Sequence, residues 1–593
     1  MKDLSSLNLD YEIKKRIEKY LNILIDEEEK EFIEKCINEE DIGKLHQMFY
    51  KDLEFGTGGM RGLLGYGSSC MNLTNVARAA LAVTKYFYNI HSNIKNNGKV
   101  SDLKIAICYD TRKNSQLFAK ITSIIAAKNG FNVFMVKEPL PTPFLSFAIR
   151  KLSCVCGIMI TASHNPKEYN GYKVYDNTGC QILYPADEEI VKYYNNIYEI
   201  EKCRIEEYER LLNSRNIQFI DDSLVDDFVE SSINYDNNKK NYSFSNLKVA
   251  FTSVHGTGIT PFKKIASRLN FEVFYPEKQI LQDENFPTVK SPDPENKECL
   301  KEVIDKGIKN NADIIIATDP DADRVRFGFR NSDLSYFLPD GHEIAIILFY
   351  FLCLKMQKNF YEISEINLNS FLLPYYGATT IVTTDLIETI ARYFGLDIHI
   401  TLIGFKYIGE TINNIKDNKF LFAAEESYGF LASSNVRDKD AFSSLIVALE
   451  VASYCKENSI TVRSYLDNIF KQFGYYKHDT INLFFEGYEG LNKMKRIMKK
   501  MREEPLEIIN EKKVRKIIDY LYDKTDLPKS NIIQFFGENF KITIRPSGTE
   551  SKIKIYIQVI GRNEQESIIM LDSFKNSFIE QLKSSSPDLF DNN

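Results

Sequence analysis

Basic charge is not in surplus in this sequence. Its 75 Lys and Arg stand against 82 Asp and Glu, so the formal net charge is 75 − 82 = −7. A protein whose main partner is nucleic acid needs a basic face to displace counterions. The balance therefore argues against that class and leaves room only for a local basic pocket that takes a small phosphate. Cysteine is sparse and scattered, ten in 593 residues. Cys154 and Cys156 are separated by one residue, which is neither a redox CxxC pair nor a zinc knuckle. The cysteines read as reduced thiols, and the expected compartment is the cytoplasm. Residues 1–10 are polar and acidic, without the basic start and apolar stretch of a secretory signal or the Arg-rich, acid-poor pattern of a transit peptide. Long apolar runs are missing too. The longest, Ile344 to Leu354, lies between Glu343 and Lys355 and falls short of the about 20 residues that cross a bilayer. It is expected to form a buried core helix, and no membrane partner is expected. With no heptad repeat or apolar interface stripe, a monomer or weak homo-oligomer is the expectation.

What is present is an ordinary globular composition, 44% hydrophobic and 26% charged. At about 150 residues per domain, the length suggests roughly four domains. Residues 9–50 carry apolar residues at helical spacing and predict one or two surface helices. A strand over 103–109, a helix over 115–129 and a strand over 131–136 form a βαβ block, the signature of a parallel sheet. The order recurs at 247–254, 261–269 and 271–275, with a helix at 298–310 and a strand at 312–317. It recurs again at 379–383, 386–394 and 398–401. The tail differs, with a predicted helix over 512–522 and strands at 535–536, 540–544 and 552–559, so the last domain reads as α+β. The Asn- and Lys-rich stretch 234–246 reads as a polar insertion.

Four motifs carry chemistry. Thr161-Ala-Ser-His-Asn-Pro166 follows an apolar strand and places the Ser163 hydroxyl at a sheet's carboxyl edge, where ligands of α/β folds bind. It is not a GxSxG elbow, and neighbours on a strand point to opposite faces, so the spacing does not support a Ser163–His164 dyad. Thr318-Asp-Pro-Asp-Ala-Asp-Arg324 brings Asp319, Asp321 and Asp323 to one side of an extended loop, where they repel unless a hard cation neutralises them. An EF-hand fails on Arg324 and Arg330, and three oxygen ligands fit Mg2+ when phosphate or water completes the octahedron. Arg545-Pro-Ser-Gly-Thr-Glu550 has the parts of an anion nest. Phe55-Gly-Thr-Gly-Gly-Met-Arg-Gly62 misses the dinucleotide fingerprint and reads as a flexible loop that presents Arg61 to an anion. Ala424-Glu-Glu-Ser-Tyr-Gly-Phe430 offers a carboxylate and a hydroxyl for sugar hydroxyls, and the charged stretch 436–441 would ordinarily be a solvated loop.

The set FGTGGMRG, TASHNP with NGYKVY, DPDADR, GFKYIG, EESYGF and RPSGTE, in this order, resembles the α-D-phosphohexomutase superfamily from about Phe55 to Tyr556. The continuation after TASHNP is similar to the phosphoglucomutase-2 and phosphopentomutase branch. The resemblance implies an α/β protein of four domains in a heart-shaped arrangement, three with a common mixed α/β core and a smaller α+β fourth. The expected division is an N-terminal helical extension over 1–40, then domains over 41–210 with the phosphoserine loop, 211–335 with the metal loop, 336–460 with the sugar loop and 461–593 with the phosphate loop.

It further implies that Ser163 is the phosphorylated residue. Asp319, Asp321 and Asp323 would hold Mg2+ together with an oxygen on Ser163. Lys173 and His164 are candidates for proton transfer, and Arg61 and Arg324 for steadying the reacting phosphoryl group. Glu425 and Ser427 would grip sugar hydroxyls, and the loop from Gly404 through Phe405 and Lys406 would choose the sugar. Lys439 with Arg545, Ser547, Gly548 and Thr549 would hold the non-reacting phosphate. The implied activity interconverts glucose 1-phosphate and glucose 6-phosphate through a phosphoserine and a sugar bisphosphate, with glucose 1,6-bisphosphate as activator and small sugar phosphates as the only partners. Pentose phosphates as substrates, a bisphosphate synthase, a phosphatase and a non-catalytic binding protein are the alternatives. Departures from the family pattern are Ala322 for a frequent Gly, Ser551 for a common Pro and His342 for a frequent Asn; none removes a reacting group.

Overall fold

A computed structural model describes residues 4–56, 58–92, 103–201, 203–235, 243–363, 374–485, 487–546 and 552–585. The chain divides into two compact units, one of residues 1–338, 405–423 and 427–458, the other of 339–404, 424–426 and 459–593. The first opens on three helices, Tyr11–Ile23, Glu27–Asn38 and Ile42–Phe49, one more than the periodicity predicts. Asp26 and Asp41 explain the extra break. Each caps the helix that follows it, the Asp26 carboxylate accepting from the Glu28 and Glu29 amides and Asp41 from that of Lys44.

These helices are held to the rest of the unit by a buried carboxylate. Glu29 is fully buried. It accepts hydrogen bonds from the Tyr20 hydroxyl (2.8 Å), the Gly67 amide (2.7 Å), Asn72 Nδ2 (3.2 Å) and the Thr74 hydroxyl (3.2 Å). Burial pushes its carboxyl up to about 7 in spite of those donors. The unfolded chain releases this proton near the ordinary value of 4.5, so between there and 7 the folded state binds more protons. Stability is therefore expected to fall by about 3 kcal/mol as the pH rises through that window. Glu29→Gln is expected to flatten the slope, as read by denaturant unfolding at about pH 5 and about pH 8. An unchanged slope would count against the assignment.

Two sheets in this unit position the chemistry. In the seven-stranded sheet, Cys156–Ile160, Lys104–Tyr109, Asn132–Met135 and Ile217–Phe219 run parallel, as the first βαβ block predicts. Tyr169–Asp176 and Gly59–Leu63 continue it antiparallel. In the five-stranded sheet, Ile314–Thr318, Lys248–Thr252 and Glu272–Phe274 are parallel, and Val325–Arg330 returns antiparallel to Ile314–Thr318. The serine and acidic motifs thus occupy equivalent places. Each leaves the carboxyl end of a fully buried strand and turns back as the strand's antiparallel neighbour. The buried polar loop atoms need partners, and the loops supply them to each other.

The Arg61 segment is not the flexible loop expected from its glycines. Phe55–Gly56 and Gly59–Leu63 pair as a hairpin, and Arg61 sits opposite Gly171 in the sheet. Gly59 is required there: its φ is 148°, and a Cβ would lie 2.0 Å from the Tyr172 carbonyl oxygen.

The second unit carries the apolar run as the helix Gly341–Ile363, as expected. In it, Tyr375–Thr380 and Asp397–Thr401 pair in parallel around the helix Leu386–Phe394. Its last part is a five-stranded antiparallel sheet of Tyr475–Phe484, Lys552–Gly561, Phe540–Pro546, Ile533–Phe536 and Lys516–Asp519, backed by the helices Gly487–Glu503 and Glu564–Ser585. That is the expected α+β tail, with one correction. Residues 512–522 contain the short strands Lys512–Lys513 and Lys516–Asp519, not a helix. Val514, Ile517, Ile518 and Leu521 have helical spacing, but the ladder from Lys516↔Phe536 to Asp519↔Ile533 wins. Most of the polar insertion, 236–242, lies outside the described residues.

All ten cysteines are free and nine are buried. Among the described residues no helix is long and apolar enough to cross a membrane.

Candidate active site

Ser163 follows the strand Cys156–Ile160 by three residues and is 3% exposed. Its φ is 52°, in the left-handed region. That turn, which strand alternation does not foresee, brings the next side chain round. His164 Nδ1 lies 3.3 Å from Ser163 Oγ, so the two do meet, contrary to the spacing argument. Burial, and then the neighbouring Arg324 and Arg61 guanidinium groups, push His164 well below the ordinary imidazole value, so it is neutral. On the other side, Ser163 Oγ donates to Asp319 Oδ2 at 2.8 Å.

Asp319, Asp321 and Asp323 are buried, with one carboxylate oxygen from each within 4.8 Å of the others. They converge through a tight turn, not an extended loop, with Ala322 at φ 48°. Asp321 Oδ1 and Asp323 Oδ1 are buried without a hydrogen-bond partner. Orphaned anionic oxygens beside a hydroxyl are the donor set of a hard divalent cation, so the residues fit one. The group is electrostatically split. Burial, and then the Asp321 and Asp323 charges, hold the Asp319 carboxyl well above the usual range. Burial opposes ionisation of Asp323 as well, but the Lys439 and Lys173 ammonium groups outweigh it and hold that carboxyl below the usual range.

The basic residues surround this turn. Lys173, on the strand Tyr169–Asp176, places Nζ 2.9 Å from Asp321 and 3.3 Å from Asp323. Lys439 Nζ is 3.2 Å from Asp323. It sits at the acid turn. Its segment is no solvated loop: Asp438 and Asp440 are buried, and Asp438 accepts from the Tyr175 hydroxyl at 2.7 Å. Arg324 donates its amide to Asp319 (3.0 Å) and Nη1 to Glu295 (2.7 Å). Arg61 Nη1 reaches the Asn165 side chain at 3.0 Å.

The expected sugar loop is a helix. Phe405–Asn414 begins directly after Gly404, whose φ is 121°. Lys406 lies in the first turn, 5.4 Å over the Tyr407 ring. Glu425 is buried and accepts the Gly404 amide at 2.9 Å. Ser427 is half-buried. The adjacent Tyr428 adopts φ 62°, accepts the Val325 amide and lies under Arg326. Arg545, near the end of the strand Phe540–Pro546, has a buried Nε without a hydrogen-bond partner. Ser547, Gly548 and Thr549 lie outside the described residues. His342 is buried, its ring stacked 3.9 Å from His478, and burial pushes it down to about 3; it is a neutral packing residue.

Sequence reasoning missed three contributors. Thr142 gives its hydroxyl (2.7 Å) and its amide to Asp321. Asp110 and Arg112 lie beneath the serine turn. A signal for the latter pair existed, since both directly follow the strand Lys104–Tyr109 at the same sheet edge as Ser163.

A hydroxyl on a three-carboxylate cation site, ringed by ammonium and guanidinium groups at the carboxyl edge of an α/β sheet, defines a phosphoryl-transfer site. Comparison with known proteins says which kind. Sequence models of the phosphoglucomutase/phosphomannomutase α/β/α domains I, II and III match residues 52–201, 222–331 and 363–473. The chain is 33% identical over 535 residues to the phosphoglucomutase of Staphylococcus saprophyticus, covering 87% of this chain and 92% of that one. It is likewise 33% identical over 530 residues to the phosphoglucomutase of Staphylococcus aureus strain USA300, covering 86% and 90%. In fold it is similar to the exocytosis-sensitive phosphoprotein parafusin, a phosphoglucomutase of Paramecium, with TM-score 0.64 at 19% identity over 91% of this chain and 95% of that one. A phosphoglucomutase/phosphomannomutase family protein of Burkholderia thailandensis gives 0.64 at 16% identity over 90% and 97%. The chain belongs to the phosphoglucomutase/phosphomannomutase family, within the α-D-phosphohexomutase superfamily, and is a phosphoryl-transferring mutase.

Proposed function

We propose that the protein interconverts glucose 1-phosphate and glucose 6-phosphate through a phosphoserine at Ser163. The observation that carries the reading is the Ser163 hydroxyl hydrogen-bonded into a buried carboxylate triad with orphaned oxygens, in a chain whose curated relatives are phosphoglucomutases. Phosphorylated Ser163 donates its phosphoryl group to the free hydroxyl of the bound sugar monophosphate. The Oγ–P bond breaks, the sugar O–P bond forms, and the hydroxyl proton passes to a neighbouring base and on to Ser163 Oγ. Lys173 and His164 are the candidates for this proton transfer. The resulting bisphosphate turns over and returns its other phosphoryl group to Ser163. Asp319, Asp321, Asp323 and an oxygen on Ser163 would hold Mg2+, which would supply positive charge to the spreading negative charge of the transferred group. Arg61 and Arg324 steady its equatorial oxygens. Lys439, beside Asp323, joins the residues that take the second phosphate. Glu425 and Ser427 take sugar hydroxyls, Gly404, Phe405 and Lys406 shape the sugar site, and Arg545, Ser547, Gly548 and Thr549 take the second phosphate. A sugar bisphosphate such as glucose 1,6-bisphosphate reprimes Ser163.

We assign domains to 41–210, 211–335, 336–460 and 461–593 behind an extension over 1–40. The family's matched domains I and II fall inside the first two.

The test is turnover of glucose 1-phosphate against ribose 1-phosphate with Mg2+ and glucose 1,6-bisphosphate supplied, inorganic phosphate being followed in parallel. Glucose 6-phosphate as the main product is expected. Faster turnover of the pentose would move the substrate to that class, and dominant phosphate release would make the protein a phosphatase.

A further inference from the structure

Ser163 adopts a backbone conformation that residues other than glycine seldom take. Something must hold it there, and both sides of the residue are held from one place. On the amide side, Ser163 N–H donates to Thr161 Oγ1 at 2.8 Å. The Thr161 hydroxyl in turn donates to Asp110 Oδ2 at 2.6 Å. On the carbonyl side, Arg112 Nη2 donates to the carbonyl oxygens of Ser163 and Asn165, and Nη1 to those of Pro166 (2.8 Å) and Tyr169 (3.1 Å). Asp110 closes the arrangement. It lies 3.2 Å from Arg112 Nε and accepts from the Arg112 amide (3.0 Å) and the Ser115 hydroxyl (2.8 Å).

We infer that Asp110 and Arg112 are positioning residues that clamp the main chain of Ser163 from both sides and so aim its Oγ at the metal loop. The inference rests on the phosphoserine reading and deepens it. Asp110, Arg112 and Thr161 are each at most 3% exposed. A guanidinium has five N–H donors. The two terminal nitrogens of Arg112 face four backbone carbonyls, its Nε faces Asp110, and the Phe286 ring covers the group 5.1 Å from Cζ. Arg112 is buried with both terminal nitrogens committed to main-chain carbonyls, which separates it from Arg61 and Arg324. The clamp also reaches Arg61. Arg112 holds the Asn165 carbonyl, and the Asn165 side chain takes the Arg61 guanidinium. One buried ion pair thus sets both the nucleophile and a phosphoryl-steadying arginine. A lysine cannot replace it, because one ammonium cannot address four carbonyls with a planar fork.

The experiment compares the parent, Arg112→Met, Arg112→Lys and Thr161→Val. Phosphorylation of Ser163 by glucose 1,6-bisphosphate is followed by rapid quench and intact mass, together with KM for glucose 1-phosphate and the melting temperature. For both Arg112 variants the expected result is phosphorylation and kcat slowed by roughly 100-fold, as a misplacement near 1 Å does, with KM within about twofold. In a further variant, Arg112→Ala, added guanidinium ion at sub-denaturing concentration is expected to restore part of the rate, while ammonium is not. Thr161→Val cuts the amide arm alone and covers the case in which the arginine variants do not fold; it too is expected to slow phosphorylation. Folded variants phosphorylated at the parent rate would overturn the inference while leaving the phosphoserine reading intact. A parent that takes no phosphoryl group at Ser163 would overturn both.

Discussion

Ser163→Ala is expected to lose mutase turnover by at least roughly 10^3-fold, and its intact mass to stay that of the bare chain after incubation with glucose 1,6-bisphosphate. The size follows from the site. Among the described residues, Ser163 Oγ is the hydroxyl hydrogen-bonded to Asp319 with an imidazole nitrogen at 3.3 Å on its other side. The hydroxyl of Thr161 is committed to Asp110 and to the Ser163 amide, and that of Thr142 to Asp321. The fold should be untouched, because alanine removes one oxygen and adds nothing. A melting temperature near that of the parent, with turnover gone, would separate chemistry from folding. Turnover within tenfold of the parent would sink the phosphoserine mechanism.

Asp323→Asn has the second-largest expected effect, and it acts on two observables. Asp323 faces Lys439 at 3.2 Å and Lys173 at 3.3 Å while its other oxygen is orphaned. The asparagine variant keeps the shape and loses the charge. Lys173 retains Asp321, and Lys439 retains Asp438 at 3.5 Å, so each ammonium is weakened and not abandoned. Breaking one partner out of a buried ionic group costs about 3 kcal/mol. Divalent-cation affinity is expected to fall by roughly 100-fold or more, read from the Mg2+ dependence of turnover. The pH response has a defined sign. The folded carboxyl of Asp323 titrates below its unfolded value of about 3.9, so its stabilisation is complete above that pH and lost as the pH falls further. The raised Asp319 carboxyl gives a slope of opposite sign. Removing the Asp323 charge should lower Asp319 towards its ordinary value, because one of the two charges beside it is gone. Equal Mg2+ affinity in parent and variant would remove Asp323 from the cation site.

Much of this was legible in the sequence because the parallel blocks are strongly patterned. The strands Lys104–Tyr109 and Ile314–Thr318 are apolar except for Lys104 and Thr318 at their ends, and each leads into a polar turn at the sheet edge where ligands collect. Less was legible where local pattern and tertiary pairing disagree. The hairpin at 55–63 was hidden by glycines whose small size is what lets the strand approach Tyr172. The segment 512–522 has a helical apolar period that the sheet overrides. The helix Phe405–Asn414 reads as a loop in sequence because Gly404 and Gly409 bracket its start, yet Gly409 packs under the Arg437 carbonyl, 2.5 Å from where a Cβ would sit. Strand alternation would separate Ser163 from His164, but it stops applying once the strand ends at Ile160. Lys439 looked like solvent-facing charge because no local pattern reports a partner more than a hundred residues away.

The left-handed turn at Ser163 also restricts the alphabet at that position. Three amino acids carry a hydroxyl that can accept a phosphoryl group. A tyrosine ring cannot stand where the oxygen must lie 2.8 Å from Asp319 in a space 3% exposed. Threonine has the right oxygen, but its β-branch is strained at a φ of 52°. Serine carries a primary alcohol on an unbranched Cβ, the least crowded of the three in this held turn, so stereochemistry narrows the identity of the nucleophile before reactivity is consulted.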